Sequence, residues 1–395
     1  MALEKEHPIK DEIVSFRGLF QRRISLFQGT ALIVSGTIGA GILGLPYAVA
    51  QSGAFIGFLY IVVLGLCMMV LNLMLGQLVS VQPKPLQLTG LARKYLGKWG
   101  GFLMTVILYI MLTGVLLVHL IGEGNTLATL FGGESTYWTV GFFVLCLVLL
   151  ASGMRAIKRV ESVLVIGVLV VIFLIILLGF PHVNTTNLIS HDFFQLLFPY
   201  GVVLFAFHST TTMPEAYVIL KHRENVYKHS IMYAGVIVIL VYAAFALMVV
   251  GVMGPTTPEI ATTGLERFLG HGAFVFGNVF AFLAMGMSSL IISLSLRDSL
   301  VWDHSIKEWV ATVLVCLVPF LLFYFGLRSF VAVIDIIGGV FISLEMFLII
   351  LMYWRAYQKG EFKHNTYSLR HIGKLFLPLI LAFGIGAVYS VGKLF

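Results

Sequence analysis

Runs of apolar residues about as long as a lipid hydrocarbon layer is thick recur along almost the whole chain. They lie at 28–50, 54–80, 100–121, 137–153, 160–180, 194–220, 228–252, 271–297, 308–326, 330–353 and 372–392. A helix crossing that layer needs roughly 20 such residues. Inside it, every backbone N–H and C=O must be satisfied within the segment, so each run is expected to be helical. Only 11% of the residues are charged, against about a quarter in soluble domains, and the mean hydropathy is +1.00. The expected fold is therefore an all-α membrane protein with eleven transmembrane helices, a cytoplasmic segment at 1–27 being followed by one membrane domain over 28–395. Arg17, Arg22 and Arg23 precede the first run, but no cleavage-like site follows it. It is expected to stay in the membrane rather than act as a removable signal.

Lysine and arginine test this count independently, because cytoplasmic loops collect them. Taken alternately, the N-terminus and the segments 81–99, 154–159, 221–228, 297–307 and 354–374 hold 22 of the 25. Only Arg267, Arg328 and Lys393 fall on the other side, so one miscounted span in the middle would scramble the pattern. The N-terminus is expected in the cytoplasm and the C-terminus outside, in the cell inner (plasma) membrane. Topology thus accounts for the formal charge of +7, and the lipid bilayer, not nucleic acid, is the expected partner. Leu88, Leu91, Tyr95, Leu96 and Trp99 alternate with Arg93, Lys94 and Lys98, which reads as a short helix along the inner interface. Cys67, Cys146 and Cys316 lie in expected spans without metal-like spacing and read as packing residues. The glycosylation-like triplet Asn184-Thr185-Thr186 is too common by chance to carry weight.

Two spans are interrupted, and irregular backbone survives in a membrane only where it lines a cavity or is buried in protein. The first holds four glycines and a proline between Ser35 and Pro46; the sixth holds Ser209, Thr210, Thr211 and Thr212 ahead of Pro214. Small residues of this kind also serve close helix packing, and that reading stands beside the functional one. The interruptions fall five spans apart. A five-span repeat enters the membrane in opposite orientation the second time, giving inverted repeats whose broken helices meet at the midplane. There, free N–H groups at a half-helix N-terminus can hold a carboxylate, and exposed carbonyls can hold an ammonium or a cation. An amino acid carries both groups.

The stretch Gly39-Ala40-Gly41-Ile42-Leu43-Gly44-Leu45-Pro46-Tyr47-Ala48 resembles the first-helix signature of the amino acid/auxin permeases and the aromatic amino acid permeases of the amino acid–polyamine–organocation superfamily. Leu88-Thr89-Gly90, the segment Lys94 to Gly100, and Leu204 to His208 followed by Pro214-Glu215 are similar to that family's inner loop and sixth helix. The resemblance implies the leucine-transporter-type fold, with repeats at about 28–180 and 194–353, and an eleventh helix at about 372–392. It also implies a secondary transporter that imports a neutral amino acid, aromatic ones being the leading class, by symport. Its substrate site would comprise Gly36, Thr37, Gly39, Ala40, Gly41, Phe205, Ala206, Phe207 and His208. In it the Ala40 and Gly41 N–H groups would hold the carboxylate, carbonyls near Thr37, Phe205, Phe207 and His208 would face the ammonium, and the Phe207 ring would be a lid or plain packing. A bulky side chain at Gly41 is expected to fill the carboxylate's space.

By the same resemblance, Ser288, Ser289 and Met285 would join Ser35 and Ile38 around a sodium ion, although membrane serines equally often hydrogen-bond their own helix. Proton coupling is the alternative, through His208 or Glu215; Glu215 would otherwise tie the broken helix together. Ionisable groups inside a bilayer are costly, so His119 near the outer end of span three, and Asp335 and Glu345 in span ten, also need a partner or a role. Asp335 is expected near the outer surface and Glu345 toward the bundle interior. Tyr109 is a candidate for the side-chain pocket. Neither an H-E-x-x-H nor a G-x-S-x-G motif occurs, so an enzyme is not expected. Discontinuous helices in an inverted repeat favour alternating access over a channel. A membrane amino acid sensor with the same fold and little transport is the competing function.

Overall fold

The computed structural model describes residues 17–83, 86–151, 157–189, 196–220, 223–304, 306–362, 367, 369 and 375–393. Of the N-terminal segment, 1–16 lie outside them, as do Lys84, Arg155, Lys221, Lys363, Arg370 and Lys374 of the inner-loop charges.

All regular structure among the described residues is helical. In chain order the helices are α1 (Arg17–Thr37), α2 (Gly41–Ser52), α3 (Ala54–Ser80), α4 (Leu88–Phe131), α5 (Ser135–Ala151), α6 (Ile157–Gly179) and α7 (Pro199–Phe207). There follow α8 (Thr212–Ile219), α9 (Glu224–Met253), α10 (Glu266–His304), α11 (Glu308–Tyr324), α12 (Phe330–Ile336), a π-helical turn (Ile337–Ile342), α13 (Ser343–Gln358) and α14 (Phe376–Gly392). Every apolar run contains helix. Five helices are individually long and apolar enough to cross a membrane, six if the bent pair formed by α1 and α2 counts as one span.

Local chemistry explains the breaks. Residues 38–40 leave the helix among glycines, each about 1 kcal/mol worse than alanine in a helix interior, and the chain turns by 60° between α1 and α2. Pro199 opens α7, and Pro214 sits in the first turn of α8, where an N–H has no intrahelical partner to lose. Span ten carries a third irregularity that the sequence reading did not anticipate, the π turn at Ile337–Ile342. A Cβ on Gly338 would collide with the Gly201 carbonyl, so this glycine lets span ten lie directly against α7. The segment expected along the inner interface is helical and forms the first part of α4, set off by Gly97 at φ +81°, a conformation that favours glycine.

The broken helices occupy the middle of the bundle. Helix α7 packs against α2, α3 and the π turn, while α9 packs along α1, α2 and α3. On the other side α10 packs mainly against α4, α6 and α11. Large apolar side chains also cover the outside, among them Phe55, Leu59, Val63 and Leu66 on α3 and Leu377, Leu381, Ile385 and Val388 on α14. An apolar stripe of that extent suits lipid rather than water, and the chain is an integral membrane protein.

Candidate functional site

At the first break, the Ile38 N–H donates to the Val34 carbonyl at 2.8 Å and closes α1. Helix α2 starts with tight turns, Ile42 N–H to Gly39 C=O at 3.3 Å and Leu43 N–H to Ala40 C=O at 3.1 Å. Among the described residues, the N–H groups of Gly39, Ala40 and Gly41 make no backbone hydrogen bond. They are three free donors at the positive end of a half-helix. Gly36 and Gly39 are exposed, whereas Ala40 and Gly41 are buried. The two outer glycines of the motif differ sharply. A Cβ on Gly41 would lie 2.6 Å from the Ala206 Cα, while one on Gly39 would meet nothing within 4 Å. Gly41 is thus where the backbones of spans one and six touch, and the open space lies at Gly39. This alters the expectation for a bulky residue at Gly41: it meets the backbone of α7 before it meets any ligand.

At the second break, residues 208–211 leave the helix. The His208 N–H donates to the Phe205 carbonyl at 3.2 Å, and Thr212 and Met213 N–H groups donate to Ser209 and Thr210 carbonyls at 3.1 and 3.2 Å. The Phe207 and His208 carbonyls accept no backbone N–H. The Phe207 ring is buried, set edge-on to Tyr242 at 5.0 Å between centroids and in contact with the space above Gly65 of α3. It is wedged between α3 and α9, in the position of a packing group. Phe205 is half-buried and Ala206 buried.

Tyr242 of α9 ties the breaks together, which sequence reading missed. Its buried hydroxyl lies 2.9 Å from the Thr37 carbonyl at the end of α1 and 2.9 Å from the Ala206 carbonyl near the end of α7. The Thr37 hydroxyl turns back to the Ile33 carbonyl at 2.7 Å. A tyrosine midway along an apolar helix gives no signal of its own; only the fold reveals its partners.

The other singled-out residues scatter. Ile38, Met285 and Ser289 are buried, and Ser35 and Ser288 half-buried. The Met285 sulfur packs over Gly122 of α4, and among the described residues no hydrogen bond joins Ser288 or Ser289 to α1. Glu215 is exposed in the first turn of α8. Asp335, rather than being simply solvated, pairs with Lys393 at 2.8 Å. His119 is buried, and Glu123 one turn on is fully buried with, among the described residues, no hydrogen-bond partner for either oxygen. The Tyr109 hydroxyl meets Ser299 at 2.6 Å. Glu345 is fully buried and, as expected, interior; it reaches the second break. Near the end of α4 and the start of α5, a recess of about 530 Å³ is lined by Asn125, Thr129, Ser135, Glu259 and Thr263.

A family model for the tryptophan/tyrosine permease family matches residues 22–391. Glutamine transporter 2 of Aliivibrio fischeri is 24% identical over 90% of this chain and 97% of that protein. Tyrosine-specific transport system 2 of Haemophilus influenzae is 25% identical over 91% and 94%. Among solved structures, the Eremococcus coleocola manganese transporter superposes with a TM-score of 0.66 at 14% identity, over 97% of this chain and 89% of that one. MhsT in complex with L-phenylalanine superposes with a TM-score of 0.61 at 16% identity, over 92% and 96%. At those identities the two structures speak to the fold alone.

Proposed function

The chain belongs to the tryptophan/tyrosine permease family, and on that premise we propose that it imports a neutral amino acid as a secondary transporter, with aromatic side chains the favoured class. The observation that carries the reading is the meeting of two sets of unpaired backbone groups. Donors at Gly39, Ala40 and Gly41 stand at one break, acceptors at Phe207 and His208 stand at the other, and Gly41 touches Ala206 between them. A zwitterion offers a carboxylate to the first set and an ammonium to the second. The names of the glutamine and tyrosine transporters above support a neutral substrate.

The wider architecture is part of the proposal: eleven crossings, inverted repeats at about 28–180 and 194–353, and an added helix at about 372–392. The basic-residue asymmetry supports a cytoplasmic N-terminus and an outer C-terminus. Import by alternating access would move one repeat against the other around the two breaks, driven by a sodium or a proton gradient. Ser35, Ile38, Met285, Ser288 and Ser289 are the residues that would serve sodium.

The test is uptake by purified protein in liposomes, screened over the twenty amino acids with sodium and proton gradients imposed separately. Accumulation of at least one neutral amino acid above its external concentration is expected. Specific binding of an amino acid with no turnover under either gradient would favour the sensor reading, and no binding at all would remove the site.

A further inference from the structure

The link between α7 and α8 is held from two sides. In extended backbone, successive side chains point to opposite faces, and His208, at ψ 121°, starts such a stretch. Ser209 turns to α3, where the Asn72 amide donates to its hydroxyl at 3.1 Å. His208 and Thr210 turn the other way, to Glu345 in the first turn of α13. The Thr210 hydroxyl donates to Glu345 Oε1 at 2.5 Å, His208 Nε2 lies 2.8 Å from Oε2, and Thr210 Oγ1 and His208 Nε2 are 2.9 Å apart. The Glu345 side chain is fully buried and that of His208 is 16% exposed.

Proton counting limits what this triangle can be. The one hydroxyl proton of Thr210 goes to Oε1, so the contact between Nε2 and Oε2 needs a proton of its own, on the imidazole or on the carboxyl. With imidazolium and carboxylate, or imidazole and carboxylic acid, the pair is neutral; with one proton fewer it carries a buried negative charge. A low-dielectric interior penalises the second state heavily. Imidazole is also the side chain that ordinarily changes charge between about pH 5 and 8. Release of one proton therefore weakens the hold of α13 on the link whose free carbonyls, at Phe207 and His208, belong to the candidate site.

We propose that the His208–Glu345 pair, with Thr210, is a proton-operated latch between span ten and the broken segment of span six, and that it couples a proton to movement of the substrate site. The coupling half rests on the reading of the two breaks as that site. On the elements packed around the latch, α3 carries Cys67, α4 carries Tyr109, His119 and Glu123, α7 carries Tyr200 and α9 carries Tyr242. The three phenols are engaged by Ser299, by Ser343 with the Phe383 carbonyl, and by the two break carbonyls. Glu123 borders Gly286 of α10 and interacts with Cys146 of α5. His119 and Glu123 are thus the other groups able to lend pH dependence, and the variant below separates them from the latch.

Hydrogen exchange of 207–213 in the full-length protein in liposomes tests the latch without substrate. Protection factors, which divide out the chemical exchange rate, are expected to fall with rising pH, by up to about tenfold per pH unit, the limit for one linked proton. In Glu345→Gln the profile should be flat, whereas in Glu123→Gln it should persist. A flat wild-type profile, or an unchanged slope in Glu345→Gln, overturns the latch. L-tyrosine uptake under an inward proton gradient supplies the second readout, and Glu345→Gln is expected to lose accumulation. A pH-dependent link in a protein that moves no amino acid leaves the latch standing and removes the transport reading; accumulation retained in Glu345→Gln removes the coupling.

Discussion

Gly39 and Gly41, two positions apart, do different work, and a side chain added at each separates them. Gly39→Val places its Cβ where nothing lies within 4 Å, so the protein is expected to insert and melt like wild type while L-tyrosine uptake is lost. Gly41→Val drives a side chain into the Ala206 backbone, 2.6 Å from where its Cβ would fall, and overpacking of this kind costs about 1–3 kcal/mol. Its melting temperature in detergent should drop, with function lost alongside. Uptake retained by Gly39→Val would move the carboxylate site elsewhere. Tyr242→Phe removes one hydroxyl and strands two carbonyls, those of Thr37 and Ala206. A buried acceptor left without its donor costs about 1–3 kcal/mol, so this variant should melt lower than wild type while its ring still packs on Phe207. An unchanged melting temperature would mean that the two breaks do not depend on the clamp.

At the scale of helices, the inner surface is fastened by a contact outside the membrane-spanning parts. Glu361, just beyond α13, accepts from the Tyr95 hydroxyl at 2.6 Å and from Lys94 at 3.0 Å, joining the interfacial part of α4 to the end of span ten. Partial burial works to raise the Glu361 pKa, but the Tyr95 and Lys94 bonds and the charge of Lys359 overcome it and hold the carboxyl below its usual value. A depressed carboxylate stabilises the fold above its unfolded-state pKa, and the contribution disappears as pH falls through the folded value. Glu361→Gln should therefore lower the melting temperature slightly at pH 7 and less at pH 3, by an amount in the range of exposed ion pairs, about 0.2–1 kcal/mol. An equal drop at both pH values would assign the effect to the lost Tyr95 bond geometry and not to charge. Element positions were legible in the sequence because span length and the Gly, Pro and hydroxyl interruptions are properties of contiguous residues. The π turn, the Tyr242 clamp and the reach of Glu345 to His208 were not. Each depends on how one helix is rotated against another, and an apolar run with hydrophobic residues on all sides carries no phase from which to read that rotation.

For the whole molecule the open question is which gradient does the work, and the two candidates leave different traces. If Ser288 and Ser289 of α10 help to bind sodium with Ser35 and Ile38, their joint replacement by alanine removes two oxygen ligands, and substrate affinity loses its dependence on sodium. Linkage requires this, since an ion that tightens substrate binding is itself tightened by substrate. If the His208–Glu345 latch carries the coupling, the double variant keeps its pH dependence. The packing favours the second outcome: α10 lies mainly against α4, α6 and α11, and the second break is joined to span ten through a histidine and a glutamate. Wild-type L-tyrosine uptake is therefore expected to be indifferent to replacing sodium with choline and to rise with an inward proton gradient. The Ser288→Ala/Ser289→Ala protein should do the same. Uptake that collapses in choline, together with a double variant that no longer responds to sodium, would hand the coupling to the ion site and leave the latch as a structural tie.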